Sequence, residues 1–245
     1  MSSLDSFEAK WINLFDELRR DPQLKDQIAA PFLSVPATDA RCILYVGKAT
    51  SGDFHRDDSA FARLTIEERI RERHKVARDF IKEEAPDYPG GFWPFARELN
   101  TALANKWKSP ITSPLQHITW TNICKIGALK GNPRGVLFEK QRNLSAVTLR
   151  DEIRLYRPHL IWFVTWDYEE DLVKEVVDQP QGESWDKTGN GDYMWSRPAT
   201  GALPGVLLTG HPERKTRQLR RKWVRKSLEL LDDAERTRSA VSSKG

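Results

Sequence analysis

Cysteine is scarce: Cys42 and Cys124 are the only two in 245 residues. Two thiols cannot supply a four-cysteine iron–sulfur cluster, and they cannot close a zinc site without other ligands. Both lie in or beside apolar segments, where a reduced thiol behaves as a small hydrophobe. Histidine is little commoner, and the five imidazoles are scattered without metal-ligand spacing. Neither a metal nor a cofactor is expected. Long apolar runs are also missing. The run 160–164 is strand-length, far short of the roughly 20 residues that cross a bilayer. The N-terminus shows no basic stretch followed by a long apolar one, so no secretory signal is expected. Together these absences describe a soluble, cytoplasmic protein with no membrane partner. No internal repeat is visible.

What is present is a core. Apolar residues make up 39% and charged residues 30%, with nine Trp, a globular composition. The length suits one α/β domain with insertions, expected as a monomer. The net charge of +4 permits contact with nucleic acid without demanding it. Its distribution says more: Arg214, Lys215, Arg217, Arg220, Arg221, Lys222, Arg225 and Lys226 crowd one segment.

Periodicity predicts an amphipathic helix over 5–20, carrying Phe7, Trp11, Leu14, Phe15 and Leu18. A proline-bearing loop leads to a buried strand over 42–46. A charged helix over 65–84 reads as an insertion able to form a lid or a DNA-facing flap. Helix 92–107 and strand 118–124 follow, the strand passing into a Gly-, Lys- and Asn-rich loop over 127–135. Helix 149–156 stops at Arg157-Pro158 and gives way to strand 159–164, an α/β signature. A short helix over 171–177, a surface hairpin over 181–197, a strand over 206–209 and a helix over 213–231 complete the pattern. The organisation expected is an N-terminal helix and loop (1–40) packed on a main domain (41–231). Insertions fall near 55–90 and 181–198, and a polar tail spans 232–245.

Three strand ends carry polar or glycine residues. They are Gly47-Lys48-Ala49-Thr50-Ser51-Gly52-Asp53, Thr121-Asn122, and Gly210-His211-Pro212. In open α/β sheets, ligands bind beyond the carboxyl ends of the strands, so these distant segments describe one pocket. Gly47-Lys48 is not a P-loop, because the earlier Gly is replaced by Cys42 and the magnesium-binding Ser/Thr by Ala49. Its backbone N–H groups can still face an anion or carbonyl. Asn122 offers an acceptor and two donors, enough to pair bidentately with a nucleobase edge. A neutral His211 at a strand end can stabilise developing negative charge.

These motifs, in this order, resemble the uracil-DNA glycosylase superfamily over roughly residues 41–231. Gly47-Lys48-Ala49-Thr50 is similar to the family's Gly-x-(Asp/Asn/Ala)-Pro, without the Pro. Phe92-Trp93, Thr121-Asn122 with Lys125, Asn132-Pro133-Arg134, the helix-Pro-strand unit 149–165 and His211-Pro212 are similar to later motifs. Glu213 stands where a small Ser usually follows. The resemblance implies an α/β three-layer sandwich with a central, mainly parallel sheet. It also implies a metal-independent DNA N-glycosylase, and DNA, duplex or single-stranded, as the partner. By position, Asn122 would read the base edge, with Gly47, Ala49 and Thr50 around it. Phe54 or Phe92 would stack on a flipped base. His211 would stabilise the leaving base. Lys48, Ser51, Lys125, Arg214 and Lys215 would contact DNA. Ala49 replaces the residue that positions water in other branches. Asp53 is the expected general base, with Asp57 and Asp58 as substitutes, and cleavage through a cationic sugar needs a base less than most hydrolyses do. Two other readings stand beside this one: a catalytically inactive nucleic-acid or base-binding module, and a small-anion enzyme on a doubly wound fold with Lys48 and Arg214 as ligands.

Overall fold

The computed structural model describes residues 3–49, 61–85, 91–165, 168–177, 194–200, 203–213 and 215–242. Thr50, Ser51, Asp53, Phe54, Asp57, Asp58, Arg214 and most of the expected 181–197 hairpin lie outside the described residues.

The chain is an α/β protein with a mixed, mainly parallel sheet of five strands flanked by helices. The strands are β1 (Ile43–Gly47), β2 (Ile118–Asn122), β3 (Leu160–Phe163), β4 (Met194–Arg197) and β5 (Gly205–Thr209). They lie in the order β2-β1-β3-β5-β4, and only β4 is antiparallel. Strands β1, β2, β3 and β5 are buried at every position, as strands covered on both faces must be. One edge is shielded: Val35 and Trp120 exchange both backbone hydrogen bonds at 2.9 Å, laying the segment before β1 along β2.

The helices are α1 (Ser3–Leu18), α2 (Ile66–Asp79), α3 (Phe92–Trp107), α4 (Val136–Tyr156), α5 (Glu170–Val176) and α6 (Arg217–Ser242). Alternation along β1 divides the core. Ile43 and Tyr45 face α3 and α6 with Phe95, Trp162 and Trp223, while Leu44 and Val46 face α4 and α5 with Phe163, Leu149 and Leu172. β1 is followed by β2 on one side and then by β3 on the other. With right-handed crossovers this reversal puts α3 and α4 on opposite faces and opens a crevice beyond the carboxyl ends of β1 and β3.

Three elements differ from the sequence expectations. Helix α2 is a packed buttress: Thr65 and Glu68 form a capping box, and Arg69 donates to both oxygens of Asp16 on α1 at 2.7 and 2.8 Å. His74 sits 2.7 Å from Glu8, and Ala77, Phe80 and Ile81 enter the core, so the described part of this segment is no lid. Helix α4 starts at Val136, well before residue 149, and three of its inward polar residues find partners on other segments: Trp11 donates to Thr148 at 3.0 Å, Gln141 both accepts from and donates to the Ile126 backbone, and Glu152 pairs with Lys125 at 2.7 Å. Helix α6 runs to Ser242 and is no frayed tail beyond 232. Ala234 is buried, and Glu235 accepts from Trp107 Nε1 at 2.6 Å.

Candidate functional site

Two neighbouring parallel strands end the site's floor. Gly47 and Asn122 are register partners at the last position of β1 and β2. A Cβ on Gly47 would lie 2.4 Å from Asn122 Oδ1, so only glycine lets the amide occupy this place. Asn122 is 2% exposed, yet among the described residues its Nδ2 has no hydrogen-bond partner. An unpaired buried donor costs about 1–3 kcal/mol, and native proteins hold few.

Phe92 forms the wall. Its ring lies 5.1 Å from Tyr45 and 5.0 Å from Trp93, and it stacks on His211 at 5.6 Å with planes 20° apart. Backbone contact fixes that stack. A Cβ on Gly91 would meet Pro212 O at 2.6 Å and Glu213 N at 2.9 Å, so the start of α3 presses directly on the turn that follows β5.

His211 is set up as a neutral donor. Burial of its ring, reinforced by the Lys48 ammonium and opposed by Glu213, pulls the imidazole down from 6.5 to about 4. The Glu213 backbone N–H donates to Nδ1 at 3.3 Å, which leaves the proton of the neutral ring on Nε2. Lys48 also stands 5.6 Å from the Tyr168 ring. Tyr168 in turn donates to Pro133 O at 2.6 Å, tying the 127–135 loop to the same end of the sheet.

No protein-family model matches this chain. A search of curated proteins finds no match either.

Gly47, Lys48, Phe92, Asn122 and His211 gather at one end of the sheet, as the sequence leads one to expect. Lys215 closes the turn after His211, its N–H bonded to Pro212 O at 3.3 Å. Ala49 is only partly with them: its methyl packs against the α4/α5 core. Lys125 is a correction. It is 1% exposed, paired with Glu152 at 2.7 Å and bonded to Thr121, so it cannot reach a DNA phosphate. Thr121 also donates to Glu152, so this buried cluster grips the end of β2 from the face opposite Asn122. Burial lowers the Lys125 ammonium, and Glu152 opposes that shift.

Three residues of the site were not foreseen. Glu213 is the described carboxylate nearest His211, 3.9 Å from Nδ1. The Tyr45 hydroxyl is buried without a partner among the described residues, and burial holds it well above the usual phenol range. The Thr165 hydroxyl, just beyond β3, is buried and has no partner among the described residues. Only Glu213 had a sequence signal, its adjacency to His211-Pro212. Both cysteines are free and buried, and burial pushes the Cys124 thiol up to about 12, which suits packing and not nucleophilic chemistry. Among the described residues, no three His, Cys, Asp or Glu side chains could hold a metal ion.

Proposed function

We propose that this chain is a DNA glycosylase of the uracil-DNA glycosylase type, which accepts an everted base between Phe92 and Asn122 and hydrolyses its N-glycosidic bond. The observation that carries the proposal is the buried, unpartnered Asn122 Nδ2 beside Gly47. A rigid amide with a free donor is a cost to the free protein that a base edge of matching donor and acceptor pattern removes on binding. Phe92 provides a flat apolar surface for the base to stack on. His211, neutral with its proton on Nε2, donates to the oxygen on which charge collects as the base departs.

In the reaction the C1′–N bond breaks, and its electron pair leaves with the base. Water oxygen bonds to C1′ and gives up a proton, and the departing base takes one up. Stabilising the leaving anion is His211's task. Asp53 remains the proposed base for the water, with Glu213 as the described carboxylate closest to the imidazole. Burial keeps His211 uncharged with Lys48 reinforcing it, and the Lys48 ammonium offers a cation to the phosphate flanking the everted nucleotide. Ala49 offers no group to position water, which favours a second reading: a base-binding module of the same fold that does not turn over.

The test is base release from single- and double-stranded oligonucleotides carrying uracil, hypoxanthine, xanthine or modified pyrimidines, read as strand breaks after alkali. Release that disappears in Asn122→Ala supports the glycosylase. Salt-sensitive DNA binding with no release from any substrate favours the binding module. Neither activity would remove both.

A further inference from the structure

Helix α6 carries its charge in an order that works against its own stability. Eight basic residues and no acidic one occupy 214–228, and Glu229, Asp232, Asp233 and Glu235 follow. A helix N-terminus is the positive end of the macrodipole and favours anions, yet the first turn of α6 holds no acidic residue. Like charges four residues apart on a helix repel. Arg217, Arg221 and Arg225 stand at that spacing, all exposed, on the side opposite the buried Leu219, Trp223 and Ser227. Among the described residues, none of these three arginines makes an ion pair, whereas Lys226 pairs with Glu229 at 3.3 Å.

The charge is sorted by distance from the site. β5 runs toward His211 and α6 runs back along the sheet, so the basic half of the helix is level with the site. The acidic half reaches the opposite end. There Glu235 binds Trp107, and Arg238 donates to Pro158 O at 2.8 Å just ahead of β3. Arg217 follows His211 by six positions, at most about 22 Å of chain, and the Pro212–Lys215 turn shortens that path.

We propose that Arg217, Arg221 and Arg225 form a track for the DNA backbone leading away from the site. The identity of the polyanion rests on the glycosylase reading of the site. Eight residues of helix rise about 12 Å, which spans about three or four phosphates at 3.4 Å per nucleotide. Guanidinium forks about 6 Å apart along the helix meet about every second phosphate. The acidic residues from Glu229 onward end the track by repulsion, so the footprint on α6 is short and lies on the site's side only.

The experiment compares the full chain with Arg217→Gln/Arg221→Gln/Arg225→Gln and with a charge-matched control, Lys140→Gln/Arg154→Gln/Arg236→Gln, all of whose positions are exposed. DNA affinity is measured against salt by fluorescence anisotropy on single- and double-stranded oligonucleotides, and base release is followed on the same samples. Losing three phosphate contacts should lower the slope of log K against log salt by about 2.7 on duplex or about 2.1 on single strands. Between 50 and 200 mM salt the wild type should then lose about 40-fold more duplex affinity than the track variant. The control keeps the wild-type slope. Thermal stability of the track variant should be equal or higher, since like-charge repulsion is relieved. A wild-type slope in the track variant, with base release intact, overturns the track and leaves the glycosylase reading standing. A reduced slope with no base released by any protein keeps the track and removes the glycosylase. No salt-sensitive binding by the wild type overturns both.

Discussion

Replacing Gly47 by alanine should cost both stability and function, and both losses should run through Asn122. The added methyl would sit 2.4 Å from Asn122 Oδ1. An ordinary carbon–oxygen contact is about 1 Å longer, so the amide must swing by about that much or β1 must shift against β2. Overpacking of this kind destabilises by about 1–3 kcal/mol, which for a chain of this size lowers Tm by about 2–12 °C. A misplacement of about 1 Å in a positioning group costs about 10²-fold in rate. The assays are thermal unfolding and single-turnover base release by Gly47→Ala, each repeated in an Asn122→Ala background. With the amide gone there is nothing for the methyl to strike, so the stability cost of Gly47→Ala should largely vanish in the double variant. Additive stability losses, or Gly47→Ala releasing base at the wild-type rate, would refute the claim that this glycine exists to seat the Asn122 amide.

The remaining expectations follow from the same contacts. Lys125→Ala should destabilise by about 3–5 kcal/mol in urea unfolding, because it strands the buried Glu152 carboxylate, and should leave the salt slope of DNA binding unchanged; a lower slope would return Lys125 to the DNA interface. Asn122→Leu should leave stability equal or higher by about 1 kcal/mol, since it removes an unpartnered buried donor, while abolishing base release; a large loss of stability would mean that Nδ2 is satisfied. Protonation of His211 removes the neutral donor, so kcat/KM should hold as pH falls through 6.5 and drop only near 4. Lys48→Gln removes a cation that disfavours the imidazolium, so this acid limb should move up; Glu213→Gln removes an anion that favours it, so the limb should move down. A limb fixed at 6.5 in all three proteins would mean that the imidazole is free in solvent.

Much of the sheet was legible because its strands are buried on both faces. Ile43–Gly47, Leu160–Phe163 and Gly205–Thr209 are unbroken apolar runs ended by polar or glycine residues. Helix α3 was readable to its bounds, its stripe of Phe95, Leu99, Leu103 and Trp107 ending at Lys108, which takes a left-handed conformation with φ 51°. Helix α4 was obscured by buried polar residues. Gln141, Ser145, Thr148 and Glu152 break the apolar period, and the partners of Gln141, Thr148 and Glu152 belong to other segments. The same distance hid the role of Lys125, whose carboxylate stands 27 residues further on. The second half of α6 looked too polar to hold. It is anchored by Leu230, Leu231 and Ala234 in the core and by the bonds of Glu235 and Arg238. The candidate site was legible as three strand ends, while its Phe92–His211 stack depends on the backbone contact of Gly91 with Pro212, which no local pattern encodes.

The decisive measurement is single-turnover base release by His211→Ala beside the wild type, with DNA affinity determined in parallel. If His211 stabilises the departing base, the variant should lose about 10²- to 10³-fold in rate while binding DNA as the wild type does. An unchanged rate would take His211 out of the chemistry and leave the Gly47–Phe92–Asn122 pocket without its means of cleavage.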